Sequence, residues 1–146
     1  MRTHPDGSEE IRRLFREQVP ELASGIVEIK ALARERGRRS MLAVSSTNPS
    51  VDPVGSCVGE RGVRVKSVVQ QLSGEFIDII RWSESVEDFI RNTLAPVVVQ
   101  RIALDTAAHR ATVTVDSKRS DARAVDPSRL RLASRVVGCE LHLVET

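Results

Sequence analysis

The sequence predicts an α+β chain of two small tandem modules, each a three-stranded sheet covered by helices. Three observations carry that prediction. Apolar residues alternate between helical spacing and strand-like runs in the order helix–strand–strand–helix–turn–helix–strand, complete near Trp82. A capped helix and further β-rich runs then begin again at Ser83. Finally, Leu72, Gly74, Ile77 and Ile79 recur 64 residues later as Val136, Gly138, Leu141 and Leu143, so a helix, a glycine stop and an alternating strand appear twice. A length of 146 residues accommodates two such units, residues 1–82 with an N-terminal helix and residues 83–146.

In the first module, Ile11, Leu14, Phe15 and Val19 fall on one helical stripe, with Asp6 and Glu9 spaced as a capping box. Pro20 and Gly25 mark the exit. Residues 26–32 and 41–44 read as strands. The charged run between them, residues 34–39, reads as a solvated turn, with a phosphate-contacting arm as the alternative. After Asn48-Pro49, a short helix over residues 52–58 leads into the turn Gly59-Glu60-Arg61-Gly62. A longer helix follows, with Val65, Val68, Val69 and Leu72 on its apolar face and Gly74 as its stop; residues 76–80 form a strand.

In the second module, Ser85 and Asp88 form a capping box for a helix that turns Val86, Phe89 and Ile90 inward and ends at Pro96. Two β-rich runs, residues 97–104 and 111–115, precede a polar stretch over residues 116–125. A helix with Leu130, Ala133 and Val137 on one face then stops at Gly138, and residues 140–144 make the last strand. His142 alternates with Leu141 and Leu143 and is expected to face solvent.

Composition narrows the function. No apolar run approaches the roughly 18 to 20 residues that cross a bilayer, and the first seven residues lack the apolar core of a signal peptide; a cytoplasmic protein with no membrane partner is expected. Net charge is only +2, but 19 Arg stand against 3 Lys. Arginine forks onto phosphate and stacks on bases, so the bias suits RNA, although a codon preference explains it as well. Residues 1–82 carry 13 basic and 11 acidic side chains, whereas residues 83–146 carry 9 of each, which places any polyanion on the first module. Cys57 and Cys139 have no metal-binding spacing and read as small apolar residues. His4, His109 and His142 have no nucleophile or carboxylate at a motif spacing, and Glu9, Glu10, Glu87 and Asp88 suit helix first turns rather than acid–base pairs. No catalytic residue, metal, cofactor or small-molecule substrate is expected. Trp82 ends a strand before a capped helix and is expected to pack between the modules.

The turn at residues 59–62 carries the chemistry. Glycine reaches backbone conformations closed to other residues and lets another chain approach closely. A second glycine opening a helix leaves free N–H groups and a dipole that favour an anion. Such a loop holds the sugar–phosphate backbone of about four nucleotides, while bases lie on an apolar groove. Gly59, Glu60, Arg61, Gly62, Arg64 and Lys66 are the candidate RNA-binding residues, with Arg61 the foremost phosphate contact and Glu60 an opposing charge. Val58, Val63, Ile77 and Ile79 are groove candidates, with core packing as the alternative for each. The few aromatic residues argue against readers that stack bases across a sheet or barrel.

The stretch Pro53-Val54-Gly55-Ser56-Cys57-Val58-Gly59-Glu60-Arg61-Gly62-Val63-Arg64-Val65 resembles the first KH module of the bacterial transcription elongation and termination factor family NusA. So do residues 74–84, residues 13–21, Val27-Glu28-Ile29-Lys30 and Asp105, and Arg2-Thr3-His4-Pro5 resembles the linker that leaves the family's barrel domain. The resemblance covers nearly the whole chain. It implies two tandem type II KH folds packed as one rigid body that binds single-stranded RNA in elongation, termination or antitermination, with RNA polymerase or other transcription factors as further partners. The family's polymerase-binding and barrel domains have no counterpart in these residues, and a stand-alone KH pair and an excised piece both stay open.

The second module departs from that pattern. Arg131-Leu132-Ala133 and the Val137-Gly138 stop are as the resemblance implies, but counting back from them puts the loop near Ala124-Val125-Asp126-Pro127, without either glycine. Asp126 before Pro127 is a helix start in which the protein's own carboxylate takes the anion position. The second module is therefore expected to keep its fold and grip RNA poorly. A protein-interaction or scaffold paralogue with weak or no RNA binding is the alternative function.

Overall fold

Helix α1 (Ser8–Gln18) sets one face of the first core, because Ile11, Leu14 and Phe15 recur at helical spacing and are all buried. The structure, a computed structural model, describes residues 7–146. Asp6, the start of the expected capping box, and Arg2-Thr3-His4-Pro5 lie outside the described residues. The described chain falls into two compact units that divide between Trp82 and Ser83.

The sequence marks Pro20 as an exit, but the same proline opens a further helical turn, α2 (Pro20–Ala23), at the first position, where no N–H is needed. Strand β1 (Val27–Glu35) pairs antiparallel with β2 (Arg39–Ser46), which pairs parallel with β3 (Phe76–Arg81). The sheet order is β1-β2-β3. Helices α3 (Pro53–Val58) and α4 (Val63–Gln71) join α1 on one sheet face around Phe15, Leu42, Val44, Cys57 and Val68. Burial pushes the Cys57 thiol up to about 12, which keeps it neutral. Helix α4 stops as expected: Ser73 and Gly74 take positive φ, and Gly74 N–H donates to Val69 O at 2.9 Å.

The second unit repeats this plan. It contains α5 (Val86–Leu94), β4 (Val99–Asp105), β5 (Arg110–Val115), α6 (Pro127–Val137) and β6 (Glu140–Glu145). Strand order is β4-β5-β6, antiparallel and then parallel. Glu140, the first residue of β6, stands 64 residues after Phe76, the first of β3, and Pro127 of α6 stands 64 after Val63 of α4. Ser85 Oγ accepts the Asp88 N–H at 3.2 Å, the expected cap. Two helix faces differ from expectation. Val86 is 44% exposed rather than inward, because the buried stripe of α5 starts one turn later, at Phe89 and Ile90. On α6 the buried face is Ser128, Leu132, Ala133 and Val136. A serine on that stripe hides it from hydropathy; its hydroxyl is satisfied by Asp126 Oδ1 at 2.6 Å.

The charged run at residues 34–39 holds the expected turn at residues 36–38 between strand ends, but its first residue is not solvated. Arg34 has a side chain only 3% exposed and donates to Glu75 through Nε (3.0 Å) and Nη2 (2.6 Å). Its Nη1 donates to Gly7 O (2.9 Å) and Glu10 Oε1 (2.8 Å), and Gly37 N–H donates to Glu75 Oε1 at 2.7 Å. One fork thus joins the start of α1, the hairpin turn and the residue before β3. Burial opposes ionisation of Glu75, but Arg34 and the Gly37 N–H outweigh it, so the carboxyl is held below its usual value.

A depressed carboxylate stabilises the fold fully above its unfolded value of about 4.3 and loses that contribution as pH falls through the folded value. Urea melts between pH 7 and pH 3 are expected to show stability falling below about pH 4. In Glu75→Gln, which leaves a buried guanidinium short of its charge partner, stability at pH 7 is expected to drop by about 3 kcal/mol and the acid dependence to flatten.

Candidate nucleic-acid interface

The loop begins where α3 ends. Asp52 caps α3 by accepting the Val54 N–H at 3.1 Å, and Gly59 N–H donates back to Gly55 O at 2.9 Å. Gly59 then leaves the helix at φ 80, ψ 168, a region that only glycine occupies. A Cβ there would lie 2.6 Å from Arg64 Cγ and 2.9 Å from the Arg64 backbone N. Residues 60–62 form one 3-10 turn, closed by Gly62 N–H to Gly59 O at 3.0 Å. Within it Arg61 is itself left-handed, at φ 55 and ψ 23, which costs roughly 1 kcal/mol for a residue with a side chain. Lys66 Nζ donates to Arg61 O at 3.1 Å and braces that conformation.

Gly62, at φ 74, is the N-cap of α4, and no side chain caps this helix. The first-turn amides and the positive end of the α4 dipole therefore lie beside the loop without a protein carboxylate on them.

The expected site residues divide by role. Gly59, Glu60, Arg61, Gly62 and Lys66 come together at the loop, and Glu60, Arg61 and Lys66 are exposed. The Arg61 guanidinium has no hydrogen-bond or ion-pair partner among the described residues. Arg64 differs from a free cation: its Nη1 donates to Ser56 O (2.7 Å) and Glu21 Oε1 (3.1 Å), tying α4 to α3 and α2. The Glu21 carboxyl is held below its usual value, first by its own backbone N–H and then by Arg64 against partial desolvation.

The two sides of the loop are electrically different. Glu60, Arg61, Val63 and Lys66 line an open depression of about 570 Å³, with Val63 61% exposed. On the other side Glu21, Asp52, Glu60 and Arg64 line a depression of about 410 Å³ whose only cation is already paired with Glu21. From the basic side, a groove of about 360 Å³ continues between α4 and β3, lined by Val65, Lys66, Val69, Gly74, Phe76 and Ile77. Of the groove candidates, Ile77 lines it, Val63 lines the depression before it, and Ile79 packs on the core. Val58 is half-buried at the end of α3 and lines neither. Val69, Gly74 and Phe76 were not among those candidates; the helix-facing positions of α4 and the open edge of β3 were the available signals.

The 64-residue offset places Asp126 on Gly62, so the equivalent loop is residues 123–126, one position earlier than counting back from the conserved-looking Arg-Leu-Ala implies. A 3-10 turn, Ala122–Ala124, falls across positions equivalent to the end of α3 and the start of the loop in the first unit. Asp126 has φ −59, and its Oδ1 accepts the Ser128 N–H at 2.7 Å, with Pro127 at the first helical position. The anion position of α6 is filled by the chain itself.

Two helices joined by a Gly-x-x-Gly turn and packed on a three-stranded sheet define a KH-type nucleic-acid-binding fold in the first unit. The family model described as the NusA-like first KH domain matches residues 2–82, and the chain belongs to that family. The transcription termination/antitermination protein NusA of Thermus thermophilus is 46% identical over 136 residues, covering 92% of this chain and 35% of its own. Its Bacillus subtilis counterpart is 41% identical over 143 residues, covering 97% of this chain and 38% of its own. The chain thus spans little more than a third of the length of these curated relatives. The crystal structure of APE1850 matches 94% of this chain and 96% of its own at a TM-score of 0.63 and 15% identity, a likeness of fold.

The two loop glycines carry different loads. Gly59→Ala is expected to cost about 3 kcal/mol, because it meets the Arg64 backbone in a glycine-only conformation. Gly62→Ala has 3.5 Å to its nearest neighbour, Lys66 Cε, and is expected to cost only about 1 kcal/mol for positive φ. Urea denaturation of the two variants measures the difference.

Proposed function

We propose that this chain binds single-stranded RNA through its first unit, in transcription elongation, termination or antitermination. The open N-terminus of α4, set beside the unpaired Arg61, carries the reading: free amides and an exposed guanidinium converge where a phosphate would lie. Gly59 and Gly62 shape the loop, and Arg61 and Lys66 attract the backbone. Arg64 holds the loop from beneath, and Glu60 weakens the grip. The strand would run on the Lys66 side, since Glu21 and Asp52 repel it from the other.

In this reading residues 1–82 and 83–146 are two type II KH domains, the second degenerate, in a cytoplasmic protein that also meets RNA polymerase or another transcription factor. The relatives' names supply the transcriptional setting, and the repeated strand pairing supports the second KH assignment. A second reading, a NusA-like interaction scaffold with little RNA binding, is favoured by one observation: Asp126 occupies the helix terminus that a second grip would need.

Binding of a short single-stranded RNA at low salt separates the two. Under the first reading Arg61→Glu is expected to weaken binding at least tenfold. Arg61→Ala is expected to reduce the salt dependence by about 0.7 in log–log slope, one phosphate contact. Glu60→Gln is expected to strengthen binding a few-fold, and replacing Asp126 and Pro127 together by glycine to strengthen it further. Wild-type protein that binds no RNA at low salt, yet co-purifies with polymerase, would establish the scaffold reading instead.

A further inference from the structure

Phe76 is a large apolar side chain left 56% exposed at the start of β3, and one face of its ring is not free. The Arg39 guanidinium lies over it, with Cζ 4.5 Å from the ring centroid. Arg39 cannot easily swing away. It is paired with Phe76 across β2 and β3, and it donates to Asp78 through Nε at 2.8 Å and Nη2 at 3.4 Å. The Phe76 backbone N–H is held by Arg38 O at 3.1 Å. The result is a flat aromatic ring backed by a fixed cation, with its outer side open to solvent.

Its position gives that ring a use. Phe76 lines the α4–β3 groove, which shares Lys66 with the depression at the Gly59–Gly62 loop. Loop and ring lie at opposite ends of α4, roughly 13 Å apart along nine residues of helix. Arg38, whose carbonyl holds the Phe76 N–H, is exposed and has no side-chain partner among the described residues. The nearby carboxylates, Glu75 and Asp78, are already engaged by Arg34 and Arg39. The far end of the groove therefore combines a π-face with uncompensated positive charge, the pairing that single-stranded nucleic acid uses for a stacked base and its phosphate.

We infer that Phe76, backed by Arg39 and flanked by Arg38, is a base-stacking platform that extends the RNA site beyond the nucleotides held at the loop. The inference rests on the RNA-binding reading of that loop. It assigns the platform to the next base along the strand, with stacking tolerant of base identity because every base has a π-face.

The test compares RNAs of four and seven nucleotides on the intact chain, with 2-aminopurine placed at each end of the longer one. Wild-type protein is expected to gain affinity on lengthening and to quench one terminal 2-aminopurine. Phe76→Ala, an exposed substitution, should lose about tenfold on the seven-nucleotide RNA, several times more than on the four-nucleotide one, and lose the quenching. Phe76→Trp should restore both, while Arg61→Glu should weaken both RNAs alike. Wild-type affinity for the longer RNA in Phe76→Ala, or an equal loss on both lengths, would overturn the platform. Wild-type protein that binds neither RNA would overturn the loop reading itself, and the platform with it.

Discussion

The candidate interface depends on the close approach of Gly59 to Arg64. With 2.9 Å between a notional Cβ and the Arg64 backbone N, the chain can leave α3 and enter α4 within four residues only if the first of them has no side chain. That approach draws the stem of Arg64 under the loop, where its guanidinium reaches Ser56 O and Glu21. An arginine beside the candidate loop is thereby tied into the architecture, which leaves Arg61 and Lys66 as the exposed cations of the loop. Lys66 in turn holds the strained Arg61 by its carbonyl, so the exposed guanidinium projects from a backbone fixed at both ends.

The second unit shows what the same scaffold does without that constraint. Its helix starts at the equivalent position, its final strand keeps the register, and its strands pair in the same sense. Asp126 in place of Gly62 replaces a left-handed residue with an ordinary one and brings a carboxylate to the amides of α6. A cap of this kind contributes about 1 kcal/mol to the helix. The substitution thus trades an open anion position for local stability, and Pro127 reinforces it by removing a donor.

Much of this was legible in the residues. The repeated glycine stop and alternating strand mark both units, the Gly-x-x-Gly turn is where the spacing puts it, and the Asp126-Pro127 helix start is visible as a dipeptide. What escaped has a common cause. Arg34 lies in a charged run and looks solvated, because its partner Glu75 stands 41 residues away and only the sheet brings them together. The buried face of α6 is disguised by Ser128, whose hydroxyl is satisfied locally. Phe76 shows no sign of its exposure in the sequence, because exposure at a sheet edge is a property of strand order, not of hydropathy.

Electrostatic sidedness then joins fold to function. A near-neutral chain attracts a polyanion only if its acids are withdrawn from the path, and here the withdrawal is local. Glu75 is buried against Arg34, and Asp78 is forked by Arg39. Of the cations left over, Arg61 and Lys66 border one side of the loop and Lys66 continues into the groove beyond it, whereas Glu21 and Asp52 hold the other side of the loop. Glu60 is the exception, since it borders both sides. An acid at that point does not block the path, but it lowers the potential where the first phosphate would arrive. It would therefore act on affinity and salt dependence rather than on which bases are read.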